Sequence, residues 1–82
     1  MIRDKFRVNG VTYERISKAR ARGLFDSGEK VLFMPALAPN YELPFYSYIP
    51  LHNDGGSISF DSMVNAYEYY NEIEYTIFYK IV

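Results

Sequence analysis

The chain has 82 residues, enough for one domain spanning 1–82 and one modest core. It is 49% hydrophobic and 23% charged, which excludes global disorder, and it has no cysteine, which excludes disulfides and thiolate metal sites. No apolar run approaches the ~18 residues a membrane helix needs.

The net charge of −1 is made of unlike parts. Residues 1–30 carry eight basic and four acidic side chains, whereas residues 31–82 carry one basic and six acidic ones. Such halves predict a basic face and an acidic face wherever the fold keeps them apart. No apolar segment follows the charged start Met1 to Lys5, so no secretory signal is read there and the expected location is cytoplasmic.

The first element is a hairpin. Asn9-Gly10 is a type I′ turn pair because both residues tolerate positive φ. Pairing outward from it matches Val8 with Val11, Arg7 with Thr12, Phe6 with Tyr13 and Lys5 with Glu14. One face then carries Phe6, Val8, Val11 and Tyr13, and two-residue alternation agrees with the turn on a single register.

A short helix follows. Ser17 is a good N-cap, and Ile16 with Ala21 fits a hydrophobic staple. Ala21, Leu24 and Phe25 form a narrow apolar stripe, and Gly28 stands where a C′ glycine belongs. Gly23 inside the helix implies close packing or a weak helix. Lys18 and Arg20 in the first turn and Asp26 in the last oppose the helix dipole.

Val31 to Met34 is an unbroken apolar run, expected as a central strand covered on both faces and ended by Pro35. Residues 35–44 hold three prolines and are expected to form a loop. Residues 45–49 are expected to resume as a short strand before Pro50, with a turn over 52–57.

The second helix starts at Ser59 or Asp61, and Ser59 as N-cap pairs Ile58 with Met63 as a staple. It places Phe60, Met63, Val64, Tyr67 and Tyr70 on one face, points Asp61, Asn65 and Glu68 away, and stops at Asn71 in a left-handed conformation. Tyr75 to Val82 then alternates with both sides largely apolar, which calls for a central position or a partner strand. The expected fold is α+β: a mostly antiparallel sheet of four to five strands with two short helices packed on one face, in the order ββαββαβ.

Reactive chemistry has little footing. His52 is the single histidine and sits in a polar turn, so a zinc site lacks ligands. Neither Ser47 nor Ser57 stands in a nucleophile elbow that would pair it with His52 and Asp54. Glu68, Glu72 and Glu74 lack the spacing of a calcium loop. No catalytic residue, metal or cofactor is expected, and the chain is not expected to be an enzyme.

Two surfaces invite binding. Tyr46, Tyr48, Tyr69, Tyr70 and Tyr75 outnumber what so small a core can hide, and tyrosine is enriched at protein interfaces. Interleaved Glu68, Glu72 and Glu74 suit docking on a basic protein surface. Arg7, Arg15, Lys18, Arg20 and Arg22 form the second candidate, for phosphate or nucleic acid. A third expectation is self-association, with the last strand pairing with its copy as a homodimer.

The block Gly10 to Glu29 (GVTYERISKARARGLFDSGE) and the block Phe60 to Asn71 (FDSMVNAYEYYN), with Phe78-Tyr79 behind it, resemble uncharacterised small proteins encoded on phages and mobile elements of Gram-positive bacteria. Such proteins usually carry a longer insertion after the tyrosine-asparagine motif, and this chain is short there. The resemblance implies a setting in which small inhibitors of host defence nucleases are common. The expected function is therefore a non-catalytic protein-binding module of anti-defence type, anti-CRISPR or anti-restriction, acting on a larger host protein.

Overall fold

The computed structural model describes residues 4–36, 50–53 and 58–82. Strand β1 (Lys5–Val8) and strand β2 (Val11–Ile16) pair in the register expected from the turn: Lys5 with Glu14, Phe6 with Tyr13, Arg7 with Thr12 and Val8 with Val11. Asn9 and Gly10 both take positive φ, 52° and 80°, as a type I′ turn demands.

Helix α1 (Lys18–Asp26) is closed at both ends by the residues that sequence chemistry favours. The Ser17 hydroxyl accepts the Arg20 N–H at 3.2 Å. At the other end Gly28 turns left-handed (φ 88°), its N–H donates to the Phe25 carbonyl, and the Glu29 N–H donates to that of Leu24. This is the Schellman pattern. A Cβ at Gly23 would meet open space, so close packing is not the reason for that glycine.

Strand β3 (Val31–Pro35), helix α2 (Phe60–Asn71) and strand β4 (Thr76–Ile81) complete the order ββαβαβ. The strand expected over 45–49 and most of the loop before it lie outside the described residues. The four strands form an antiparallel sheet in the order β1-β2-β4-β3. β4 is thus central, as its two apolar sides require, and is paired along both edges. A last strand so engaged has no edge left for a copy, which corrects the expected route to self-association.

β3 was expected to be central. It is instead outermost of the four described strands, although a bridge joins Val31 to Leu51 on its outer side. Its burial comes from above and below. On one face Val31 and Phe33 join Ala21, Phe25, Phe60, Val64 and Phe78 under the two helices. On the other, Leu32 lies with Tyr13 and Tyr79, flanked by Phe6, Val8, Val11, Met34 and Ile77. The helix-side core is a cluster of phenylalanines. Phe33 has its ring centroid 5.1 Å from Phe78, 6.0 Å from Phe60 and 6.4 Å from Phe25, all at tilted or edge-on angles. Such geometry suits the ring quadrupoles and adds to the area buried.

Candidate functional site

The two helices run in opposite directions, and this arrangement builds the site. Arg22 Nη2 lies 2.6 Å from Asp61 Oδ1, and the rings of Phe25 and Phe60 are 5.7 Å apart, so α2 begins beside the later half of α1. Towards its other end α2 is tied to the start of β4 and the middle of β3. Thr76 Oγ1 donates to Glu68 Oε2 at 2.9 Å, and the Tyr67 hydroxyl donates to the Phe33 carbonyl at 2.9 Å. From Arg22 back to Lys18 is one helical turn, about 6 Å, whereas from Asp61 on to Tyr69 is about 12 Å. The last turn of α2 therefore projects beyond the start of α1.

That projection carries exposed rings. Tyr69 and Tyr70 are 76% and 80% exposed and stand edge to face, their centroids 5.2 Å apart. Tyr75, just before β4, is 64% exposed. Tyr70 was expected on the buried face with Phe60 and Val64. At about 100° per residue it lies roughly 120° round the helix from Val64, on the flank of the buried stripe, and it is exposed. Glu74 is exposed beside Tyr75.

Glu72, not Asn71, takes the left-handed position (φ 55°, ψ 46°). The Asn71 side chain is engaged otherwise, its Nδ2 donating to the Tyr67 carbonyl at 2.8 Å. Glu68, expected to point into solvent, is half-buried and accepts the Thr76 hydroxyl. Of the acidic candidates, Glu72 and Glu74 are thus presented with the tyrosines and Glu68 is turned inward. Tyr46 and Tyr48 lie outside the described residues.

The basic candidates do not gather into one patch. By register Arg7 shares the helix side of the sheet with Thr12 and Glu14, while Arg15, opposite Tyr79, lies on the other side. Lys18 and Arg20 are exposed in the first turn of α1. Arg22 is paired with Asp61 and lies over the Phe60 ring at 5.5 Å, so its guanidinium is already partly engaged within the fold.

The sequence did not suggest a depression at the open end of the hairpin. It has a volume of about 500 Å³ and is lined by Asp4, Lys5, Glu14, Arg15, Ile16 and Ser17. The hairpin register, carried one pair further, was the available signal: the Arg15 N–H donates to the Asp4 carbonyl at 2.8 Å and draws these residues together.

His52 is exposed. Among the described residues no group of three or more His, Asp or Glu side chains converges as metal ligands would, and no helix is long and apolar enough to cross a membrane. Comparison of the chain with protein-family models, with curated proteins and with solved structures finds no match.

Proposed function

We propose that the chain is a small protein-binding module whose contact surface is the projecting end of α2 and the turn that follows it. One observation carries this reading: Tyr69 and Tyr70, paired edge to face, are almost fully exposed at the tip of a helix whose base is locked into the core. Two large rings held in water by a rigid support lose little entropy on binding and have much area to bury.

Glu72 and Glu74 beside the rings select a partner with a basic surface that also offers apolar ground. Proteins that handle nucleic acid carry such basic surfaces as a matter of function. Together with the resemblance to mobile-element proteins, this favours an anti-defence inhibitor of the anti-CRISPR or anti-restriction type that covers a host nuclease. The nucleic-acid reading has less support, because the arginines and lysines are divided between two sheet faces, the first turn of α1 and one ion pair.

Affinity capture from a Gram-positive host lysate tests the proposal, with Tyr69→Ala/Tyr70→Ala as the probe and Lys30→Ala, exposed just before β3, as the matched control. The expected result is one protein held at unit stoichiometry, lost with the tyrosine variant and kept with the control. The purified partner then binds without nucleic acid. Undiminished capture by the tyrosine variant, or recovery of nucleic acid alone, overturns it.

A further inference from the structure

The two margins of the sheet are not alike. At β3 the outward positions are Val31, Phe33 and Pro35, and most of their main-chain groups are taken or missing. The Val31 N–H donates to the Leu51 carbonyl and the Leu51 N–H to that of Val31, both at 2.8 Å. The Phe33 carbonyl accepts the Tyr67 hydroxyl, and Pro35 has no N–H to offer. β1 lies at the opposite margin.

Along an antiparallel strand, successive residues turn their main-chain groups towards the partner and away from it. Asp4 turns towards β2, since its carbonyl accepts the Arg15 N–H at 2.8 Å, and so does Val8, which closes the two-residue turn. Lys5 and Arg7 therefore present their N–H and carbonyl groups outward, about four groups in all. No hydrogen bond among the described residues uses them. Both side chains are exposed on the helix side of the sheet, with Glu14 and Lys80, whereas Phe6 and Val8 face the other way with Tyr13 and Val11. Glu14 lies 3.5 Å from Lys5 and 3.7 Å from Lys80 and balances one charge of the three cations, so this strip stays net positive. Asp4, next to Lys5 along the strand, belongs to the other face.

Charge decides the occupant. Two copies meeting edge to edge would set Lys5 and Arg7 against their like, which guards an exposed edge against self-pairing. A strand with carboxylates at those positions gains favourable cross-strand pairs instead. We infer that β1 takes up an extended segment of a partner protein as an added strand, with acidic residues beside Lys5 and Arg7 and apolar residues on the side of Phe6 and Val8. Main-chain hydrogen bonds hold such a strand, and the alternation of its side chains selects it. This surface goes beyond the tyrosine end, for it lies across the sheet from β3, to which α2 is tied. β1 has only four residues, so Kd should be on the order of 0.1–1 mM.

Titration of the whole chain with a capped peptide of about six residues alternating glutamate and valine, followed by amide NMR, tests this. Shift changes should centre on Lys5 to Val8, the Lys5 and Arg7 N–H groups should become protected from exchange, and added salt should weaken the effect. The matching lysine–valine peptide should bind about tenfold more weakly. Arg7→Pro removes an outward donor and leaves the bonds of Phe6 and Val8 to β2, so it should abolish binding while the Phe6–Tyr13 pairing persists. Arg7→Glu, opposite Thr12, should keep the fold and lose the preference for the acidic peptide. No change at β1 with peptide well above the expected Kd, equal binding of the two peptides, or an Arg7→Glu variant that still prefers glutamate would each overturn the inference. None of these variants alters Tyr69 or Tyr70, so failure here leaves the tyrosine reading standing.

Discussion

Arg22 and Asp61 meet at 2.6 Å, and this contact joins the basic first third of the chain to the acidic last third. It also fixes which part of α1 faces the start of α2, and so how far α2 overshoots. Its geometry matters more than its energy, because the two side chains are 47% and 65% exposed and an exposed pair stabilises by at most about 1 kcal/mol. A double-mutant cycle with Arg22→Ala and Asp61→Ala should give a coupling of about 0.5 kcal/mol that fades with salt. Arg22→Ala should cost more than Asp61→Ala, since it also uncovers Phe60. Urea unfolding of the four proteins decides it. A coupling well above 1 kcal/mol would mean that solvent does not screen the pair.

Phe33 stands at the centre of the ring cluster, 2% exposed, with the edge-on ring of Tyr67 at 5.6 Å and that of Phe78 at 5.1 Å. Phe33→Ala should cost about 3–5 kcal/mol by removing the ring and leaving a cavity. Small domains have only ~5–15 kcal/mol in all. The variant should therefore lose much of its stability, read by circular dichroism as a large fall in the urea midpoint. Phe33→Leu should remain folded with a lower urea midpoint. A folded Phe33→Ala of near wild-type stability would show that the cluster does not carry the fold.

The glycines at 23 and 28 should respond in opposite directions. Gly23 is exposed within α1, and a Cβ there meets open space, so Gly23→Ala should stabilise by about 0.5–1 kcal/mol. Gly28 sits at φ 88°, and Gly28→Ala should destabilise by about 1 kcal/mol despite equally open surroundings. Equal effects from the two in thermal melts would refute the backbone argument.

Glu72 holds a left-handed conformation that glycine adopts freely, and its charge lies at the negative end of the α2 dipole. Glu72→Gly should therefore raise the melting temperature by several degrees, about 1 kcal/mol in a domain of this size. If the same variant also weakens partner capture, the strained glutamate has been kept for binding. Stability gained without loss of capture would assign the contact to the tyrosines and Glu74.

Local chemistry was the legible part of this sequence. The Asn9-Gly10 turn set the hairpin register, Ser17 marked the start of α1 and Gly28 its end, and Ser59, one of two starts open for α2, is its N-cap, because each is decided by a few adjacent residues. What tertiary packing decides was less visible. The apolar stripe drawn for α2 was too wide and took in Tyr70, which lies on its flank and is exposed. Periodicity assigned Glu68 to solvent, since it cannot see Thr76 returning beside it. Asn71 looked like the helix stop but uses its amide on a carbonyl, leaving the turn to Glu72. The site showed the same division. Tyr69, Tyr70, Glu72 and Glu74 stood out by composition, whereas the depression around Arg15 exists only once β1 and β2 are paired.

The central place of β4 governs how the chain can assemble. Every other described element precedes it, yet it alone joins the hairpin to β3, pairing Tyr13 with Ile81 on one side and Phe33 with Phe78 on the other. A folding chain therefore holds a hairpin and a separate apolar strand that cannot pair into one sheet until β4 takes its place between them. The cooperative step waits for β4, and until it docks the apolar run Val31 to Met34 lacks its partner strand and is exposed to misassociation.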